Sequence, residues 1–395
     1  MKQIIFIIIL YFFINNPVFQ VLGFGSIKLL YPLVILVALL INKRIITLVI
    51  SRYPKEILCI FSLMLYTLLR GMLNGDFIEG YKHLVNLIEL FLLSFSITTI
   101  YFRYLSHVDF DKLLLHVGIV GSIISVYCFV NPSFNNFVRN DLTVFQEKMV
   151  DILFRGFGIA IGLTYSYAIS QAIILSMGLL QIKKYKWISF FIPIFLISIL
   201  FNARIGMIPL FISLVLFLFQ KKGNVMYIAP FLVLILFTLN YLQAHSSSEE
   251  SLSWATDFFY SISDFFMGTN NASANNLDVL VENHIVLPDT TIQWIFGRGE
   301  NLFLKKGHNT DIGYLLQLNY GGIIQLFIIF MFIVTISKRL YRIKEFNFMI
   351  LFIFTCLICH IKGVFLPDSE AFKLLFLIYI FKNEFYHRNR NTQIS

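Results

Sequence analysis

Long stretches of this chain carry almost no polar atoms, and that limits its folding more than any other feature. VGIVGSIISVYCFV (117–130) and IIQLFIIFMFIVTI (323–336) are two of many such runs. A helix that is apolar on every side has no face to give to water, and about 20 such residues span a hydrocarbon core. Hydrophobic residues make up 58% of the 395 and charged residues 13%, where soluble domains carry about 25% charged. No water-soluble core of this size hides 44 Phe and 19 Tyr. A soluble globule, a disordered chain and a disulfide scaffold are excluded, and the composition points to an all-α polytopic membrane protein.

Hydropathy divides the chain into about twelve expected spans. They fall near 3–22, 27–41, 56–70, 84–102, 113–131, 157–181, 187–202, 205–220, 225–242, 311–337, 346–361 and 370–382. Spans 27–41, 187–202 and 370–382 are short and are expected to tilt or re-enter. MKQIIFIIILYFF has no small-x-small cleavage site after it and reads as a retained first span. This organisation gives residues 1–242 about nine spans. Residues 243–310 form one large external loop, and residues 311–395 hold about three spans and a basic tail. The short basic clusters KR (43–44), KKYK (183–186), KK (221–222) and KRLYRIK (338–344) fall on one side. That places both termini in the cytoplasm. The net charge of +9 follows from this asymmetry and does not indicate nucleic acid. Within the loop, SLSWATDFFYSISDFF reads as an amphipathic helix, lying on the membrane or packed on its own bundle. NHIVLPDTTIQWIFGRG reads as a second short element ending in a glycine-rich turn.

Charges at the outer mouths of the spans are the candidate functional groups. Arg204 sits in FNARIG, a turn of a few residues between two spans. It either snorkels to lipid phosphate or clamps a phosphate facing a cavity. Arg298 (FGRGE), Arg155 (FRGFG) and Arg70 (RGMLNGD) are each followed by glycine, which lets backbone approach a ligand closely. Four arginines of this kind suit an anionic ligand bearing a diphosphate. His308, in KKGHNTDIG, is a candidate general base that Asp311 three residues on can orient; a helix-capping histidine is the alternative. Gly313, Gly321 and Gly322 allow close helix approach. Glu89 is an intramembrane acid, a functional site or half of an ion pair, and Lys82 and His83 about two turns back give it no clear partner. Cys356-Leu-Ile-Cys359-His360 spells a haem c attachment motif but is embedded in apolar sequence, so no cofactor is expected. His360, Lys362 and Asp368 are candidates for lining the outer vestibule. No metal-binding cluster and no nucleotide-binding loop occur.

Three features together resemble the bacterial O-antigen polymerase and ligase group, whose polymerase members are called Wzy. They are the many-span architecture with one large late external loop, the turn FNARIG, and the passage IFGRGENLFLKKGHNTDIGYLLQLNYGGIIQLFIIF. The resemblance implies a polytopic inner-membrane glycosyltransferase of lipopolysaccharide biosynthesis, active at the periplasmic face. It implies block transfer of an undecaprenyl-diphosphate-linked oligosaccharide onto another lipid-linked repeat unit, without metal or cofactor. Arg204 and Arg298 match the family's diphosphate-binding arginines best, with Arg155 and Arg70 beside them; His308 and Asp311 fall where catalytic groups are expected. The modest loop favours polymerase over ligase. The implied partners are the lipid-linked oligosaccharide, the bilayer and a chain-length regulator protein. The alternatives are an O-antigen ligase, which transfers to lipid A core, and a polysaccharide flippase or transporter.

Overall fold

The computed structural model of the protein describes residues 1–19, 26–74, 77–142, 158–160, 165–219, 285–299 and 312–394. Nearly all of this is helix, and no β-strand occurs among the described residues. The helices are α1 (Lys2–Asn15), α2 (Ser26–Ile41), α3 (Ile45–Arg52), α4 (Pro54–Asn74), α5 (Ile78–Asn86), α6 (Ser94–Tyr104), α7 (Phe110–Val130), α8 (Pro132–Phe137), α9 (Ser166–Leu180), α10 (Ile192–Asn202), α11 (Met207–Phe219), α12 (Thr291–Phe296), α13 (Gly313–Arg342), α14 (Phe346–Cys359) and α15 (Glu370–Ile394). A π-helical segment, Leu87–Leu93, joins α5 to α6 without a break in the helix.

Among the described residues, four helices are long and apolar enough to cross a membrane: Pro54–Leu73, Ile78–Tyr104, Phe110–Val130 and Gly313–Arg342. Leu30–Ile41 and Ile45–Arg52, bent by 95°, make a fifth if counted as one broken span. Five shorter apolar helices, including α1, α9, α10 and α14, accompany them. Of the twelve expected spans, 225–242 lies outside the described residues, as do the amphipathic stretch 252–266 and most of the external loop.

The side-chain pattern explains why these helices need lipid. In α4, Leu58, Phe61, Leu65, Leu69 and Met72 recur three and four residues apart and are exposed, while Glu56, Ile60, Leu63 and Thr67 are buried. In α13, Ile323, Phe327 and Phe330 are exposed while Ile329, Phe332, Ile333 and Ile336 are buried. The outer stripe of each helix is wholly apolar and has no favourable place in water.

The described chain forms two compact units. The first comprises Met1–Leu29 and His107–Leu277. Its helices α7, α9 and α10 are joined by polar side chains. Tyr167 Oη donates to the Gly121 carbonyl at 2.8 Å, Ser122 Oγ to Gln171 Oε1 at 3.2 Å, and Asn202 Nδ2 to Ser125 Oγ at 2.9 Å. Such bonds replace the hydrophobic drive that lipid removes. The second unit comprises Leu30–Ser106 and Asp278–Ser395, with α15, whose residues 371–380 are all buried, at its centre. Tyr53, Phe332, Phe352, Phe372, Phe376 and Tyr379 pack there.

Candidate functional site

In the second unit α13 starts as a regular helix and breaks at Gly322 (φ 69°, ψ −166°). Two glycines in succession, Gly321 and Gly322, make the break possible. A Cβ on Gly322 would lie 2.3 Å from the Ile295 carbonyl oxygen. Only glycine accepts both the positive φ and that approach.

The segment 285–299 docks onto the break. The last carbonyls ahead of it have no further turn to bond. Asn319 O accepts from Arg298 N at 2.5 Å, and Tyr320 O accepts from Gly299 N at 2.9 Å. Asn319 Nδ2 donates to the Val286 carbonyl at 2.7 Å. Thr290 caps α12, accepting from Gln293 N at 3.3 Å. Gly297 ends that helix at φ 75°, where a Cβ would strike the Tyr320 carbonyl at 2.3 Å.

Two residues of α4, one helical turn apart, secure the segment. Tyr66 Oη donates to the carbonyls of Phe296 (3.1 Å) and Gly321 (2.7 Å), bridging segment and broken helix. Arg70 Nη2 donates to the Gly297 carbonyl at 2.8 Å, and its buried Nε makes no hydrogen bond. Arg298 Nη2 donates to the Leu287 carbonyl at 2.7 Å and ion-pairs with Asp289 at 3.0 Å. Arg70 therefore holds the peptide that leads into Arg298, while the Arg298 guanidinium braces the same 285–299 segment at Leu287 and Asp289, at the end of the unit where α4 and α14 finish and α5, α13 and α15 begin.

The other expected site residues are placed differently. Arg204 belongs to the first unit and opens a 3₁₀ turn, Arg204–Gly206, between α10 and α11. Its guanidinium is half-buried. Arg155, His308 and Asp311 lie outside the described residues.

Glu89, which had no partner in the sequence, has one in the fold. Lys373 Nζ of α15 sits 2.5 Å from Glu89 Oε2 and 3.0 Å from Glu370 Oε2. Eleven residues separate Glu89 from the start of the Ile78–Tyr104 helix, about 16 Å along its axis. The π-helical segment that carries Glu89 is an irregularity often found at functional positions. Sequence reasoning passed over Lys373; its signal was a lone ammonium in the apolar run AFKLLFL. His360 does not line a vestibule. It is fully buried, with Nε2 2.8 Å from Gln317 Oε1 and Nδ1 accepting from Phe365 N (3.1 Å) and Leu366 N (3.3 Å). That fixes the proton on Nε2. Among the described residues no three His, Cys, Asp or Glu side chains are spaced to hold a metal ion.

No protein-family model, curated protein or solved structure matches this chain.

Proposed function

We propose that the protein is a membrane glycosyltransferase that polymerises oligosaccharide repeat units carried on undecaprenyl diphosphate, at the periplasmic face of the bacterial inner membrane. The observation that carries this reading is the convergence of Arg70 and Arg298 on the glycine-rich segment at the broken α13. Two planar guanidinium forks held on one short glycine-rich segment suit a lipid-linked diphosphate. The transferred glycan is already activated, so the diphosphate leaves as the glycosidic bond breaks and no nucleotide is consumed. Arg70 and Arg298, both of the second unit, stabilise the charge growing on that leaving group. His308, oriented by Asp311, takes the acceptor hydroxyl proton. In this reading the chain has about twelve spans and two cytoplasmic termini, and a chain-length regulator is its protein partner.

A second reading, a polysaccharide transporter, draws support from one observation. Glu89 and Lys373 place charge deep in the spans, as transport pathways do. An O-antigen ligase shares the donor chemistry and differs in acceptor. The lipopolysaccharide of a deletion strain separates the three. A single attached repeat unit supports the polymerase and loss of all attached repeats the ligase. Loss of lipid-linked intermediate from the outer leaflet supports the transporter.

A further inference from the structure

His83 lies five residues into the Ile78–Tyr104 span, about 8 Å along the axis, and is 1% exposed. Among the described residues neither of its ring nitrogens finds a hydrogen-bond partner. A neutral imidazole has one donor and one acceptor to satisfy, and in a low-dielectric interior leaving both unmet is costly. His360 shows the contrast, with both nitrogens engaged. The ion-pair partner of His83 is Asp368, whose Oδ1 stands 3.8 Å from Nδ1. That is too far for a hydrogen bond and close enough for an ion pair once the ring is charged. The same Asp368 oxygen accepts from Asn86 Nδ2, which holds the carboxylate in place.

Around this pair stand three carboxylates, Glu89, Asp368 and Glu370, and Lys373 Nζ is set between Glu89 and Glu370. Glu79 and Lys82 on α5 neutralise each other at 2.6 Å. Tyr31 of α2 adds a hydroxyl within electrostatic reach of Glu370 and Glu89, and His360 at the end of α14 faces Asp368 with its proton already fixed. His83 is thus the one base in the cluster with no hydrogen bond to give up. Lys373 already fills the cation position between Glu89 and Glu370.

We propose that the His83–Asp368 pair is an intramembrane proton-binding site, with Glu89, Glu370 and Lys373 as its charged surround. The proton adds to a His83 ring nitrogen and turns the 3.8 Å contact into an ion pair. This site goes beyond the glycosyl-transfer reading and stands without it.

The test is a pH titration of the purified full-length protein in lipid nanodiscs, followed by infrared difference spectroscopy between pH 8 and pH 5. Wild type should show an imidazole-to-imidazolium change that is absent from His83→Gln. In Asp368→Asn the midpoint should fall by about one pH unit or more, because the counter-charge is gone. Superimposable spectra from wild type and His83→Gln would overturn the proposal, and so would an unmoved midpoint in Asp368→Asn. Should either variant fail to accumulate, ¹⁵N-histidine-labelled wild type carries the test. Of the five imidazoles among the described residues, those of His83 and His360 should be shielded from a water-soluble paramagnetic quencher, the first titrating and the second fixed as the Nε2–H tautomer. A His83 imidazole that stays neutral throughout would also overturn it.

Discussion

Truncating Arg70 deletes a charge and a tether together, and two substitutions separate the losses. Its bond to the Gly297 carbonyl involves a charged donor, and such bonds contribute about 1.5–3 kcal/mol. Arg70→Ala should lower thermal stability in detergent and abolish polymer. Arg70→Lys keeps a donor and a positive charge but loses the planar fork. It should restore stability while leaving chain length short in a lipopolysaccharide ladder. Normal ladders from Arg70→Lys would mean that charge alone matters. Asp109 gives a residue-scale prediction in the first unit. Its carboxylate caps α7 by accepting from Asp111 N at 3.1 Å, and it pairs with Lys184. Burial pushes the Asp109 carboxyl up, but the Lys184 ammonium and the Asp111 N–H outweigh it and hold the group below the usual carboxylate range. A carboxyl depressed on folding stabilises above its unfolded value of about 3.9 and loses that contribution as pH falls through the folded value. Asp109→Asn keeps the cap and removes the charge. Its melting temperature should lie below wild type at pH 7, and the two should converge as pH approaches about 3. A gap independent of pH would assign the difference to packing.

The break in α13 sets the element-scale prediction. Gly322 holds a positive φ against the Ile295 carbonyl. Alanine there meets the left-handed penalty of about 1–2 kcal/mol and a clash with backbone that cannot swing away. Gly322→Ala should release the 285–299 segment, seen as faster protease cleavage between Ile285 and Gly299, and should remove polymer while the protein still inserts. Unchanged protease resistance would show that the segment does not depend on the break. The helix itself was legible in the sequence, because apolar residues run from Leu315 to Ile336 almost without interruption. The paired glycines were legible as a close approach of helices, and the break was not, since what it accommodates lies about 25 positions away in the chain. The helix that holds the expected span 84–102 begins earlier, at Ile78, for a similar reason. IEGYKH is polar, and its Gly80 and His83 are buried by tertiary packing that hydropathy does not register. Of the site, the Arg-Gly form of Arg70 and Arg298 was visible and their convergence was not. Glu89 stood out as costly, but Lys373 is 284 positions further on, and only the fold shows that the two meet.

At the scale of the second unit, two polar ends stand opposite each other, and the chain direction tells them apart. One end gathers Tyr66, Arg70, Gly297, Asp368 and the breaking half of α13. The other gathers Arg52, Glu56, Arg339, Glu345, Lys382 and Glu384. There Arg339 Nε lies 3.0 Å from Glu56 Oε1, and Tyr379 Oη donates to the same carboxylate oxygen at 2.6 Å. Tyr53 Oη donates to Glu384 Oε1 at 2.9 Å, Arg52 pairs with Glu384, and Lys382 pairs with Glu345 at 2.9 Å. These charges are matched by partners, as a structural latch requires. The opposite end holds His83, which makes no hydrogen bond among the described residues, and Lys373 set between Glu89 and Glu370. The latched end also carries the exposed basic residues that flank α3, α13 and α15, so it is the end the positive-inside bias assigns to the cytoplasm. In the proposed reading the opposite end faces the periplasm, where a lipid-linked glycan is presented. Phosphatase fusions measure this directly. Fusions after residue 76 and after residue 270 should be active, and fusions after Lys344 and Lys222 should be silent. The opposite pattern would put the paired arginines on the cytoplasmic side, where no outer-leaflet donor reaches them, and the glycosyl-transfer reading would fall with the topology.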